Sequence, residues 1–449
     1  MSTLPTAGDR RGFRAPGTTF MITGGLIGAI GAYVFQVYGG RALGTHAFAP
    51  IGLLWTVFFI LATVLMVPVE QYVTREVARG RKAIPSDMKP TAVITGLGCL
   101  IGGGFVWLTL DSLFEGSWQY IAQIVLLLVG YALLFFAKGV LAGRRRFADV
   151  GWVLIVETVV RLVAGIVAIQ LVASAESLGW AMVLGGFAVV GMRWWRHDTG
   201  ESRAPAAPAS KFLGGYVGGT AASQLLLAGA PIAVAALGAD PAVVSVVFVT
   251  FTLYRAPLTL IFSLQGRILP YLVGVAGSED NARLGRYARL VVVIGGGLSA
   301  LGGIVGWLVG PQVVSVLYGD AFAPAAAVAA FAAAGVMAAA TAQIASQVLV
   351  AEARTSRLAT AWLGGLMIGL VALFVIGGAP EFRVALAFLI GEVVALLLMA
   401  VFAAGSRAPV SVLGSESGRE APSQLEGDLG EATLDHNASA IGSRQTHPD

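Results

Sequence analysis

The stretch RVALAFLIGEVVALLLMAVFAA, residues 383–404, contains one leading arginine and one central acid, Glu392; every other residue is apolar or small. About 20 apolar residues in a helix cross the hydrocarbon core of a bilayer, so this stretch reads as a transmembrane helix. Eleven other segments meet or approach that length, near residues 17–39, 46–69, 90–109, 119–140, 149–172, 177–195, 212–237, 243–265, 287–310, 323–350 and 356–377. Of the 449 residues, 57% are hydrophobic and 12% charged, and the mean hydropathy is +0.80. Such a composition excludes a soluble globular domain. The expectation is an all-α polytopic membrane protein with about twelve transmembrane helices.

Basic residues resist translocation and gather on the cytoplasmic side. Of the 29 Lys and Arg, 25 fall in alternate connections and at the two termini. Only Arg41 and Arg383 fall in the other connections, which carry Asp111, Glu115, Glu176, Asp240, Asp320 and Glu381 instead. This places both termini in the cytoplasm of a cell whose plasma membrane the chain crosses an even number of times. Basic residues in GDRRGF, before the first span, fit an uncleaved first helix better than an export signal, because the apolar stretch that follows is long and lacks a convincing A-x-A cleavage site. The single Cys99 excludes an intramolecular disulfide. The charge pattern is a topology signal and carries no nucleic-acid footprint.

The chain also matches itself. A shift of 194 residues lays TGG (23–25) on VGG (217–219) and ALG (42–44) on ALG (236–238). A shift of 200 lays LIGGGFVWL (100–108) on ALGGIVGWL, and a shift of 208 lays VLAGRRR (140–146) on VLVAEAR. These collinear matches predict two six-helix lobes, 17–195 and 212–404, related by a parallel internal repeat. A short segment, 1–16, precedes them, a Pro-rich cytoplasmic linker, 196–211, joins them, and an acidic tail, 405–449, has the composition of a disordered segment. The Gly-rich and Ala-rich runs IGGGLSALGG and APAAAVAAFAAAG lie inside spans, where small residues let helices approach closely. No phosphate-loop motif with its lysine occurs, and no cofactor is implied.

Ionisable residues within spans are functional candidates by default. Read at 100° per residue, Ser245, Thr252, Arg255, Thr259, Ser263 and Arg267 share an arc of roughly 120° on the eighth span. The seventh span offers Tyr216, Thr220, Ser223 and Gln224, with Pro231 expected to break its ladder. The first span offers Tyr33 and Gln36, and the second Thr56, Thr63 and Glu70. A polar cavity shared by these four helices is the economical reading. Glu157 and Arg161, four apart, can neutralise each other on one face. Glu392 stands alone in its span and can be protonated, paired with an arginine, or a cation-coupling site. Arg255 has no acid three or four residues away, so its partner is Glu157, Glu392 or a ligand phosphate, the last being the natural mate of a guanidinium. The four histidines and Cys99 form no metal-ligand or nucleophile pattern, and no catalytic site is expected.

YGGRALGTHAFAPIGLLWTVFFI (38–60) followed by QYVTREVARG (71–80) resembles the opening of the bacterial Wzx-like polysaccharide flippases, in which a Gly-Arg-x-Leu-Gly turn joins the first two helices. RAPLTLIFSLQGRILPYL (255–272) resembles the inner end of their eighth helix, and LYGDAF (317–322) their loop before the tenth. The resemblance implies two lobes around a cleft and transport of polyprenyl-diphosphate-linked oligosaccharide by alternating access, without enzymatic activity. It implies that Arg255 holds the diphosphate with help from Arg267, that Arg41 serves the turn, and that Thr252, Thr259, Gln224 and Gln36 line the cleft. Membrane lipids and glycan-handling polymerases or glycosyltransferases would be partners. Twelve spans and one deep second-lobe arginine depart from the fourteen-helix lipid II branch and favour another lipid-linked glycan. A cation-coupled multidrug exporter of the same superfamily is the alternative. A membrane polymerase or ligase fits poorly, because the longest outer loop, about 311–322, has only a dozen residues.

Overall fold

The computed structural model describes residues 17–80, 82–84, 88–197, 209–256, 258, 281–351 and 354–404. Met1–Arg407 form one compact unit, and Ala408–Asp449 a second that lies outside the described residues. No strand occurs among the described residues; the elements are helices and short turns.

The first helical track runs from Thr18 to Ala78, 61 residues. At 1.5 Å per residue a straight helix of that length would reach about 90 Å, some three times the hydrocarbon core, so it cannot cross once. It breaks at Gly44, whose φ of 75° and ψ of 176° interrupt the helix. Glycine is needed there for backbone conformation and not for space, since a Cβ would touch nothing within 4 Å. The break separates α1 (18–43) from α2 (45–78), and α2 carries a π-helical turn at Ala62–Met66.

The first lobe continues with α3 (Met88–Leu108), α4 (Gln119–Gly143), α5 (Phe147–Leu171) and α6 (Ala175–Phe187). In the second lobe α7 (Ala209–Ala228) bends by 68° into Ala230–Ala236. The bend falls at Gly229, where a Cβ would lie 2.3 Å from the Leu225 carbonyl oxygen. Pro231, the expected breaker, opens the second piece, where its missing N–H is tolerated. Then come α8 (Pro241–Tyr254), α9 (Asn281–Tyr318), α10 (Ala326–Ala351), α11 (Thr355–Val375) and α12 (Pro380–Ala404). Helix forms in the described part of each of the twelve apolar segments; α6 needs the 3₁₀ turns that follow it, up to Arg196, to reach spanning length, and the described α8 is shorter than a span. The expected outer loop at 311–322 is shorter than read: α9 runs through Pro311 to Tyr318, and only a 3₁₀ turn at Asp320–Phe322 precedes α10.

Small residues set the helix spacing. A Cβ on Gly24 of α1 would lie 2.7 Å from the Gly151 carbonyl oxygen of α5, and one on Gly306 of α9 2.6 Å from that of Ala329 on α10. The Gly and Ala runs thus serve close packing. Large apolar side chains face outward instead: Leu100 on α3 is 76% exposed and Val375 on α11 78%. Such a surface is stable only against lipid, and the chain is a multi-pass membrane protein.

The lobes meet most closely at the end poor in basic residues. Arg41, beside the α1–α2 break, donates from Nε to the Leu317 carbonyl (2.6 Å) and also bonds that of Val316, at the C-terminal end of α9. Ser245 Oγ donates to the Thr45 carbonyl (2.6 Å), and the Phe48 ring packs on Phe248 and Phe322 at 5.9 and 6.2 Å. Buried side chains form one continuous core through the first lobe and the base-poor half of the second. A separate cluster fills the base-rich half of the second lobe, around Leu226, Leu349, Trp362 and Met399. Among the described residues, then, the cores are fused at one end of the molecule and distinct at the other.

Candidate functional site

Arg255 lies one helical turn after Phe251 of the fused core. Its backbone N–H still bonds the Phe251 carbonyl (3.2 Å), which fixes it four residues after Phe251 at the end of the described α8 helix. Its Nε also donates to the Phe251 carbonyl (3.1 Å), one terminal nitrogen donates to Thr252 Oγ1 (3.1 Å), and the other lies 3.5 Å from the Leu227 carbonyl.

The Leu227 carbonyl is available for a chemical reason. Its partner in a continuous helix would be the N–H of residue 231, which is proline and has none. The broken α7 therefore presents a free acceptor to α8. The guanidinium also lies over the Phe59 ring of α2 at 5.7 Å. Tyr33 of α1 donates to the Thr252 carbonyl (3.1 Å) and brings the first lobe to the same place. Among the described residues no carboxylate pairs with Arg255, and three of its five N–H donors are engaged, all with neutral acceptors.

Two glutamines flank this group. Gln36, one turn along α1 from Tyr33, and Gln224, one turn before Leu227 on α7, are both buried, and the Oε1 of each has no donor. Buried acceptors without partners are rare and mark places where a donor belongs. The structure thus brings Arg255 and Thr252 of α8 together with the Leu227 carbonyl of α7, Tyr33 of α1 and Phe59 of α2, while Gln36 and Gln224 lie one turn along α1 and α7 from Tyr33 and Leu227. Thr259 and Arg267, expected to extend the stripe, lie outside the described residues.

The other deep charges sit elsewhere. Arg161 pairs with Glu157 on α5, both side chains being 7% exposed. Tyr131 of α4 bridges them: its hydroxyl donates to Glu157 Oε1 (2.5 Å) and accepts from Arg161 (2.9 Å), while Thr158 donates to Glu157 Oε2 (3.1 Å). Arg161 also faces the Trp55 ring at 5.5 Å. Glu157 is therefore committed inside the first lobe and is not the partner of Arg255. Glu392 is fully buried, and neither of its oxygens has a hydrogen-bond partner.

Spacing along the chain could not have revealed Tyr131, nor the ion pair of 2.8 Å between Lys138 on α4 and Glu70 on α2. Their partners are 26 and 68 residues away. A hollow of about 720 Å³ in the second lobe is lined by apolar residues of α9, α10 and α12 such as Ile304, Trp307 and Leu397 and does not include Arg255. Ile304, Trp307 and Leu397 also belong to the exposed apolar surface, so this hollow is a lipid-facing groove and not the polar site. No group of three or more candidate metal ligands occurs among the described residues.

No family model matches the sequence. An uncharacterized protein of Mycobacterium tuberculosis is 25% identical over 417 residues, covering 88% of this chain and 94% of that protein. Among solved structures, a mutant of the Vibrio cholerae MATE transporter VcmN aligns at a TM-score of 0.59 and 16% identity over 87% of this chain and 96% of that one. The inward-facing form of a multidrug resistance MATE family transporter of the MOP superfamily aligns at 0.60 and 15%, over 83% and 93%. The fold is that of the MATE transporters.

Proposed function

We propose that the protein is a transporter that moves a polyprenyl-diphosphate-linked oligosaccharide from the base-rich, cytoplasmic side of the plasma membrane to the opposite leaflet by alternating access. The observation that carries this reading is Arg255: a guanidinium held between the lobes by carbonyl and hydroxyl oxygens, with no carboxylate on it among the described residues. A diphosphate supplies the forked acceptors and negative charge that this group lacks. The unpartnered Oε1 atoms of Gln36 and Gln224 offer acceptors to sugar hydroxyls that give up their water during the crossing. The MATE-like fold supports transport as the activity. Arg267 and Thr259 extend the anion path in this reading, and polymerases or glycosyltransferases acting on the same glycan are its partners. The resemblance around Gly40–Gly44 favours the Wzx-like branch.

The test is reconstitution into vesicles with a fluorescent polyprenyl-diphosphate sugar, following its arrival in the second leaflet. Hydrogen bonds to charged groups contribute about 1.5–3 kcal/mol, so Arg255→Ala should slow flipping by roughly ten- to a hundredfold. Parental rates in both Arg255→Ala and Arg255→Glu would overturn the reading. Export of organic cations is the second reading, favoured by the multidrug transporter among the similar structures and by the uncompensated acid Glu392. Vesicles that expel a lipophilic cation, but leave the lipid-linked sugar where it was, would establish it.

A further inference from the structure

Glu392 is not used by that reading, yet its burial is costly. It is fully buried in a membrane-spanning helix and both oxygens lack a donor. A bare carboxylate there would forfeit its hydration with nothing in return. A metal ion would need several oxygen ligands, and no cluster of acids, histidines or cysteines surrounds it among the described residues. A proton needs only the carboxylate itself.

Its position connects it to Arg255. The rings of Phe251 on α8 and Phe388 on α12 meet edge to face at 5.1 Å. Arg255 and Glu392 each follow those phenylalanines by four residues on helices that run in the same direction, so each lies about 6 Å further along the same helical face. The two ionisable groups therefore share one depth without being paired.

Other charges are remote. Of the helices packed on α12, α10 has no ionisable residue, and α11 has only Arg357, which bonds the Phe402 carbonyl. The ionisable residues of α9 are Arg283, Arg286, Tyr287 and Arg289 in its first nine positions and Tyr318 at its far end; those of α7 are Lys211 and Tyr216, in its first eight. On α8, the Tyr254 hydroxyl lies against Gly310 of α9. On α12 itself, Glu381 and Arg383 sit in the first turn, and Arg383 bonds the Leu373 carbonyl. Among the described residues of these helices, Arg255 is the cation placed, like Glu392, one turn past the Phe251–Phe388 contact.

We propose that Glu392 is a proton-binding site linked through Arg255 to anion binding between the lobes. While an anion occupies the guanidinium, Glu392 keeps its proton. Once the anion has left, the proton passes to water on the open side and the carboxylate is drawn to Arg255. The arrangement described here, with a carboxyl group unpartnered and no carboxylate on the guanidinium, corresponds to the protonated form. By reciprocity, anion binding takes up a proton from solution. The linkage, though not the proton site itself, rests on the reading of Arg255 as the anion-binding group.

Two measurements on the full-length protein test this. Infrared spectra of the protein in nanodiscs should show a protonated carboxyl C=O band that is lost in Glu392→Gln; an unchanged band in that variant overturns the proton site. Calorimetric binding of farnesyl diphosphate in two buffers of different ionisation enthalpy should show close to one more proton taken up per probe in the parent than in Glu392→Gln. Titration of the probe's own phosphates is common to both and cancels. The apparent Kd of the parent should then change by up to about tenfold per pH unit relative to the variant. Equal proton uptake in both overturns the linkage. If the probe does not bind the parent at all, the reading of Arg255 fails and the linkage with it, while the infrared band still decides whether Glu392 holds a proton.

Discussion

Arg161 and Arg255 are the same residue at similar risk in the membrane, and the structure treats them in opposite ways. Both face aromatic rings of α2, Trp55 and Phe59, which are one helical turn apart. Arg161 is matched by Glu157 on its own helix and by the Tyr131 hydroxyl, so its charge is neutralised within one lobe. Arg255 is held by neutral acceptors, one of which Pro231 frees by lacking an N–H. The first arrangement completes a lobe. The second leaves a positive charge between lobes, where a ligand can supply the balance.

Breaking the neutralised pair should have the largest effect. Glu157→Ala leaves Arg161 buried and uncompensated, at a cost of about 3–5 kcal/mol, readable as a large drop in the thermal unfolding midpoint in detergent. Replacing both partners together, Glu157→Leu with Arg161→Met, should recover much of that loss.

Arg255→Ala sharpens the contrast from the other side. It strands no carboxylate among the described residues, so stability should change by less than about 1.5 kcal/mol, the worth of a typical net hydrogen bond, even as flipping falls. A drop as large as that of Glu157→Ala would show that Arg255 is structural.

Smaller effects should follow from the neighbours. Tyr131→Phe removes the hydroxyl bridging Glu157 and Arg161 and should destabilise by about 1 kcal/mol, measured by the same unfolding scan. Pro231→Ala supplies an N–H that competes for the Leu227 carbonyl, so Arg255 loses a weak bond of 3.5 Å. Flipping should then change only a few-fold, with the unfolding midpoint nearly unchanged.

Local chemistry made part of this legible. A span needs about twenty apolar residues in a row, which is why all twelve segments could be read from hydropathy. The Glu157–Arg161 pair was legible because residues four apart on a helix meet. The break between α1 and α2 falls at Gly44, within the turn motif that the sequence displays. Other features carried no local signal. Tyr131 and Lys138 reach partners on other helices, and Arg41 clasps carbonyls 275 and 276 residues away. The bend in α7 sits at Gly229, two residues before Pro231, because the proline removes the N–H that the Leu227 carbonyl would take and glycine has no Cβ to strike the Leu225 carbonyl.

The amino-acid sequence by itself determined that this chain crosses a membrane many times, which end of each helix is richer in basic residues, and that Arg255 and Glu392 enter the apolar region without a partner nearby in the chain. Helix length, hydropathy and i,i+4 spacing are local quantities. Only the tertiary structure decided that Glu157 is taken, that the Leu227 carbonyl is open to Arg255, and that Phe251 and Phe388, one turn before Arg255 and Glu392, meet edge to face. Those facts depend on which helix faces which, and that is set by the packing of small residues from distant parts of the chain.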